Sequence, residues 1–177
     1  SQTDEFKTKY KAISLRKYGV ETCLVLPEII KLRNDALLKK YGTVYPMQSD
    51  LFWKEYFEKV TVKYSKQQKA IYDTLKRHGY NVKFNVPCGR CCLDIVAYFE
   101  NCKIDVEYDG WYWHQDKRKD RARDEFVKKQ GYKVLRIKGG TLLPSNDELF
   151  KKISRLVSSI HTFDKIILSD WREVKTA

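Results

Sequence analysis

The sequence predicts an α/β (α+β) fold in its larger part, a mixed sheet flanked by helices, preceded by a small helical repeat region. Three observations carry that expectation. A Lys-Tyr pair recurs with a 23-residue period at Lys17-Tyr18, Lys40-Tyr41 and Lys63-Tyr64. Three runs with the alternation and β-branched content of strands follow one another, "NVKFNVP", "CLDIVAYF" and "CKIDVEYD". Segments with helical caps bracket these runs and a fourth one, "YKVLRI". A chain of 177 residues, 42% of them hydrophobic, is long and apolar enough to bury a core.

The repeats come first. Phe6, Ile29 and Phe52 share the 23-residue period, as do Leu15 and Leu38. Each unit reads as a helix of about twelve residues ending at Lys-Tyr-Gly, where Gly19 and Gly42 supply a left-handed C-cap. Ser65 stands in the third place. Pro27 suits a first helical position, and "YPMQS" leads into the next helix with Ser49 or Asp50 as its cap. The expected domains are 1–63, the repeat region, and 64–177.

In the second domain "SKQQKAIYDTLKRHG" reads as a helix capped by Ser65 and closed by Gly79. Gln68, three residues after Ser65, fits the partner position of a capping box. The runs 92–99 and 102–109 form an antiparallel hairpin around Glu100-Asn101. A charged helix spans about Lys119 to Gln130 and is closed by Gly131, "YKVLRI" is a further strand, and "SNDELFKKISRLVSSI" is a final helix capped by Ser145 or Asn146. The expected order is α-β-β-β-α-β-α.

Composition narrows the function. The net charge of +12 points towards a polyanionic partner. Residues 1–64 carry 12 Lys+Arg against 8 Asp+Glu, and the remainder 23 against 15, so both parts are basic. No apolar run is long enough for a membrane span and no secretory leader is visible, which favours a cytoplasmic setting. "CGRCC" contains one CxxC, which gives two ligands where tetrahedral zinc needs four. Cys102 would lie roughly 30 Å from Cys92 at about 3.3 Å per strand residue. Reduced thiols are therefore expected.

The acids stand out against this basic background. In the 92–99/102–109 hairpin Asp94 lies across from Glu107, with Cβ atoms roughly 5 Å apart. Alternation puts Asp105, Glu107 and Asp109 on one face and Ile104, Val106 and Tyr108 on the other. Opposed carboxylates destabilise a sheet unless they are protonated, paired with a base or bridged by a cation. Mg²⁺ or Mn²⁺, hard ions that take oxygen ligands, is the expected bridge. The plainer alternative is a solvated face neutralised by Lys103 and Arg90.

"LDIVAYFENCKIDVEYDGWYWH" resembles the core of the PD-(D/E)xK nuclease superfamily, and within it the very-short-patch-repair-like branch with its EDxHD phage homing endonucleases. "KDRARDEFVKKQGYKVLRI" resembles the helix-to-strand pattern of related restriction-like proteins. The "KYG…YP-x-QS" repeats resemble modules that precede such phage endonuclease cores. The resemblance covers Tyr64 to about Lys138 well and residues 1–63 more loosely. It implies a restriction-endonuclease-like sheet and a Mg²⁺-dependent endonuclease acting on double-stranded DNA in a bacterial or phage-infected cell.

Residue by residue, the resemblance makes Asp94 the principal metal ligand, Glu107 the second acid and the backbone carbonyl of Tyr108 a third contact. Asp109 falls where the superfamily carries the lysine that orients the attacking water. His114 is then the candidate general acid or base, with an ordinary pKa near 6.5 that suits proton transfer. Arg123 is placed to hold the scissile phosphate, and Asp124 to form a surface ion pair. Relatives carry glutamate where this chain has Gln68. Trp111, Tyr112 and Trp113 either wedge between bases or cover a core edge. Lys17, Lys40, Lys63, Lys117 and Arg118 are the expected phosphate contacts. The other readings are a mismatch-nicking or restriction-type nuclease on the same core, and a DNA-binding module whose nuclease site has decayed.

Overall fold

The computed structural model describes residues 3–60, 63–111 and 117–172, the side chain of Lys117 excepted. The chain divides into two compact units, Ser1–Phe52 and Trp53–Ala177. In the first unit the 23-residue period is structural. Helix α1 (Asp4–Tyr18) is followed by a 3-10 turn at Cys23–Val25 and helix α2 (Pro27–Tyr41) by one at Pro46–Gln48. Gly19 and Gly42 both take φ 72° and donate their N–H to Leu15 and Leu38, so each glycine closes its helix in the left-handed region where a Cβ would be strained. Each preceding lysine packs its ammonium on the ring of the tyrosine, 5.1 Å from Tyr18 for Lys17 and 4.8 Å from Tyr41 for Lys40.

The third copy departs from the pattern. Helix α3 (Asp50–Lys59) begins where the period places it but ends before Lys63-Tyr64. Tyr64 turns its ring edge-on to Phe84, with centroids 4.9 Å apart, and Ser65 starts the next helix instead. A left-handed cap needs glycine, and serine stands there, so the third unit ends differently.

The second unit is built on a five-stranded sheet in chain order: β1 (Val82–Cys88), β2 (Cys91–Tyr98), β3 (Lys103–Gly110), β4 (Tyr132–Gly139) and β5 (Phe163–Ile167). The first three strands are antiparallel neighbours; β4 runs parallel to β3, and β5 parallel to β4. The hairpin register matches the expected one, with Ile95 opposite Val106 and Val96 opposite Asp105. Strand β5 corrects the expected element order, which ended at a helix. It is short and at the edge, with Phe163 and Ile167 half exposed, so it carries little of the apolar alternation that marks a strand.

Helices α4 (Lys66–Arg77) and α6 (Asn146–Ser158) set Ile71, Leu75, Leu149, Ile153 and Leu156 against Ile95, Ile104, Val106, Leu135 and Ile137. The i, i+4 and i+7 spacing of the α6 residues is one helical face, and each such buried side chain stabilises by about 1.5–3 kcal/mol. Helix α5 (Lys117–Lys129) differs. Its buried residues are Asp124 and Val127, and Val127 joins a smaller cluster with Leu93, Val96 and Val134. This face of the sheet carries the acids of β3, so α5 meets it with charge as well as with apolar area.

Candidate active site

The hydrogen-bonded β2–β3 pairs stop at Ile95–Val106, although β2 starts at Cys91 and β3 runs on to Gly110. The two arms part at Asp94 and Glu107. On the other side of β2 the β1 ladder also skips Asp94, and Asn85 there takes φ 52°, a left-handed conformation that few residues other than Gly and Asn adopt. Backbone groups freed by the parting are taken up by the acids themselves. The Asp94 N–H donates to Glu107 Oε1 at 3.2 Å, and the Tyr108 N–H donates to Asp94 Oδ2 at 3.4 Å. The acid pair thus replaces part of the ladder.

Gln68 completes the site from helix α4. Its Oε1 accepts from the Ser65 N–H at 2.6 Å while the Gln68 N–H donates to Ser65 Oγ at 3.1 Å, the two halves of the expected capping box. The other end of the same side chain is free to act, and Nε2 donates to Asp94 Oδ2 at 2.5 Å. Gln68 therefore caps the helix and also fixes the Asp94 carboxylate. The capping role is the expected one; the bond to Asp94 is added by the structure.

Arg123 of α5 approaches from the opposite side. It grips Glu107 with two parallel bonds, Nη1 to Oε2 at 2.5 Å and Nη2 to Oε1 at 2.7 Å, and its Nη2 also donates to the Cys92 carbonyl at 2.8 Å. Gln68, Asp94, Glu107 and Arg123 form one connected network. Asp109 is drawn into another. It is fully buried and accepts from Arg136 Nη1 at 2.6 Å, while Nε of Arg136 bonds both oxygens of Asp124 at 3.0 Å. Asp124, expected in a surface ion pair, is thus in a buried one.

Burial, and next the charge of Glu107, push the Asp94 carboxyl up to about 7. Burial works against the charge on Glu107 too, but Arg123 outweighs it and holds that acid below its ordinary value. Asp105, buried in the α5 face, is raised well above the carboxylate range by burial first and then by Glu107. Its two oxygens have no hydrogen-bond partner among the described residues, so nothing offsets the burial that disfavours its charged form. Cys88 and Cys92 are each pushed up to about 11, by burial first, and stay as thiols. All five cysteines are free.

Among the described residues Glu107 is paired with Arg123, and Asp109 with Arg136; Lys103 and Arg90 pack on aromatic rings. Lys103 lies 4.4 Å over the Tyr132 ring, and Arg90 packs 5.3 Å from the ring of Phe126. Arg136, inside "YKVLRI", is a partner that the local sequence does not announce. Its signal is the β3–β4 register, which sets it beside Glu107. Trp111 donates its backbone N–H to the Gly139 carbonyl at 3.2 Å and lies against Gly140, as a residue covering a core edge does. His114, Tyr112, Trp113 and the Lys117 side chain lie outside the described residues. Arg118 and Lys63 are exposed, as are Lys17 and Lys40 in their separate unit.

Two carboxylates meeting where a sheet opens, one of them raised to about 7 by burial and next by the charge of the other, have the hard oxygen chemistry that suits Mg²⁺ or Mn²⁺. Arg123 already balances Glu107, and among the described residues no group of three or more His, Cys, Asp or Glu side chains is assembled as a metal site. Replacing Gln68 by glutamate would keep the capping box and add a third carboxylate beside Asp94. Gln68→Glu is therefore expected to tighten Mn²⁺ binding about tenfold and to lower metal-free stability at pH 8, readable by calorimetry and thermal melts.

No helix among the described residues is long and apolar enough to cross a membrane. No curated protein matches the chain. Among solved structures, the one titled "Crystal Structure of Protein of Unknown Function AF1548" is similar at 19% identity and a TM-score of 0.36, covering 57% of this chain and 56% of that one. The chain thus spans about half the length of that protein. A family model, REase_MTES_1575, matches residues 68–157, the stretch from Gln68 through the acids of β2 and β3 to helix α6. By that match the chain belongs to the restriction-endonuclease-like family REase_MTES_1575.

Proposed function

We propose that this protein is a metal-dependent endonuclease that hydrolyses phosphodiester bonds in double-stranded DNA, a site-specific homing enzyme of phage or mobile-element type. The observation that carries the reading is the meeting of Asp94 and Glu107 where β2 and β3 part. Asp94, Glu107 and the Tyr108 carbonyl would hold the divalent ion. When bound, that ion acidifies water and offsets charge on the phosphate.

The protein's own groups do the rest. Gln68 fixes the rotamer of Asp94 through the short Nε2 bond. Arg123 orients Glu107 and favours its ionised form, and its guanidinium would be a cation for a phosphate at the acids. His114 would hold and release the proton of the reaction. Asp109, buried on Arg136, serves the scaffold and not the substrate. Lys17 and Lys40, with Lys63, Lys117 and Arg118, would meet backbone phosphates. Replacing Lys17 and Lys40 by alanine should weaken DNA binding and reduce the slope of log K against log salt by about 2, since each phosphate contact contributes about 0.9.

A second reading is favoured by Gln68 in place of a carboxylate and by the full pairing of Glu107 with Arg123: a binding module whose cutting site has decayed. Supercoiled plasmid incubated with Mg²⁺ or Mn²⁺ separates the two. Metal-dependent nicking or linearisation supports the enzyme. DNA binding without any cutting sinks it and leaves the module.

A further inference from the structure

Beside the acids, at the end of β4, the backbone of residues 140–142 forms a cradle around a carboxylate. The N–H groups of Thr141 and Leu142 donate to Asp170 Oδ2 at 2.6 and 2.9 Å, and the Thr141 hydroxyl adds a bond at 3.4 Å. These N–H groups, Thr141 first and Gly140 next, hold the Asp170 carboxyl down at about 2. Neither Gly139 nor Gly140 is among the residues with positive φ, so both serve close approach. A Cβ on Gly139 would sit 2.7 Å from the Tyr108 hydroxyl, and one on Gly140 3.0 Å from Asp170 Oδ2. Successive backbone N–H groups converging on one point make an anion site.

The occupant uses one of its two oxygens. Asp170 Oδ1 is enclosed and accepts no hydrogen bond among the described residues, while Oδ2 takes every donor. Thr141 and Leu142 are exposed, so the cradle opens on solvent. Lys138, its ammonium 5.0 Å over the Trp171 ring, keeps positive charge nearby.

The cradle is tied to the site. The Tyr108 hydroxyl donates to the Leu142 carbonyl at 2.8 Å, and Gln67 Nε2 donates to the Thr141 carbonyl at 3.3 Å. Gly139 is in register with Gly110, three residues past Glu107, which is roughly 10 Å along the strand. A DNA strand crossing the acids would carry its next phosphates over this loop.

We propose that the 140–142 cradle receives a backbone phosphate flanking the scissile one, and that Asp170 fills it until DNA arrives. The proposal rests on the nuclease reading of the acids. A tetrahedral phosphate presents several oxygens to the same donors, and its arrival releases the half-satisfied carboxylate to water.

The test is Asp170→Asn, which keeps the shape and removes the charge. In EDTA, where nothing is cut, it should bind a fluorescein-labelled duplex about five- to tenfold tighter than wild type by anisotropy. Sulfate at tens of millimolar should raise its melting temperature by several degrees and that of wild type by much less. A folded variant that binds DNA no tighter overturns the proposal. Sulfate uptake without tighter DNA binding makes the cradle a small-anion site and overturns the DNA assignment. Loss of a cooperative melt makes Asp170 a structural clasp and overturns it as well. If instead the wild type never cuts plasmid while Asp170→Asn gains on DNA as expected, the nuclease reading fails and the cradle stands.

Discussion

Asp94→Asn is expected to abolish metal-dependent plasmid cutting and, at the same time, to make the metal-free protein more stable above pH 7. The loss of cutting should be about a thousandfold or more, because the substitution removes the charge that would hold the ion at the parting of β2 and β3. The gain in stability follows from the same carboxylate. Its ordinary value is 3.8, and in the fold burial and the charge of Glu107 raise it to about 7. An acid raised on folding favours the folded state while it is protonated in both states. Its contribution is therefore fully present below about 3.8 and is lost as the pH rises through 7.

Melting curves between pH 4 and 8.5 in EDTA read this directly. The wild type should lose stability relative to Asp94→Asn across that window, by on the order of 2 kcal/mol after discounting for partial solvent screening. The amide oxygen of the substituted side chain would still accept from Gln68 and from the Tyr108 N–H, so the fold is kept. Mg²⁺ in excess should then restore the wild type at pH 8 and leave the variant unmoved, since an ion that binds only the native state stabilises by mass action. Two results would sink the reading: a variant that cuts like wild type, or Mg²⁺ that stabilises both proteins equally.

What the sequence made legible was local. The 23-residue period, the Gly19 and Gly42 caps and the Ser65–Gln68 box are each settled within a few residues of backbone, and the turn at Glu100-Asn101 with strand alternation gave the hairpin register of Ile95 opposite Val106. What it hid was non-local. That β2 and β3 part at the acids depends on side chains replacing ladder bonds, which alternation does not register. Arg136 becomes the partner of Asp109 only because β4 returns beside β3 after the whole of α5. Strand β5 is held by one neighbour at an exposed edge and has too little apolar patterning to stand out. Gln68 shows why a motif underdetermines a role: one end of the amide caps the helix, which left the other end to be found in space.

Arg136→Met should be the most destabilising single change in the second unit. The arginine is 2% exposed and Asp109 0%, and Asp124 is also buried, so removing the guanidinium takes from two buried carboxylates the cation they both bond. Breaking a buried ion pair from one side costs about 3–5 kcal/mol, which at roughly 2–4 °C per kcal/mol for a chain of this size lowers the melting temperature by on the order of 10 °C. Replacing all three residues together, Arg136→Met with Asp109→Leu and Asp124→Leu, should recover most of the loss, because apolar groups of similar volume carry no desolvation penalty. Val127 is the one buried apolar residue of α5 among those described, so the helix is held by Arg123 on Glu107 and by Asp124 on Arg136. Arg136→Met should therefore loosen α5, release Glu107 from Arg123 and slow cutting more than the loss of stability alone explains. The triple variant should regain both. If the single variant melts like wild type, charge does not dock α5 and the orientation of Glu107 has another cause.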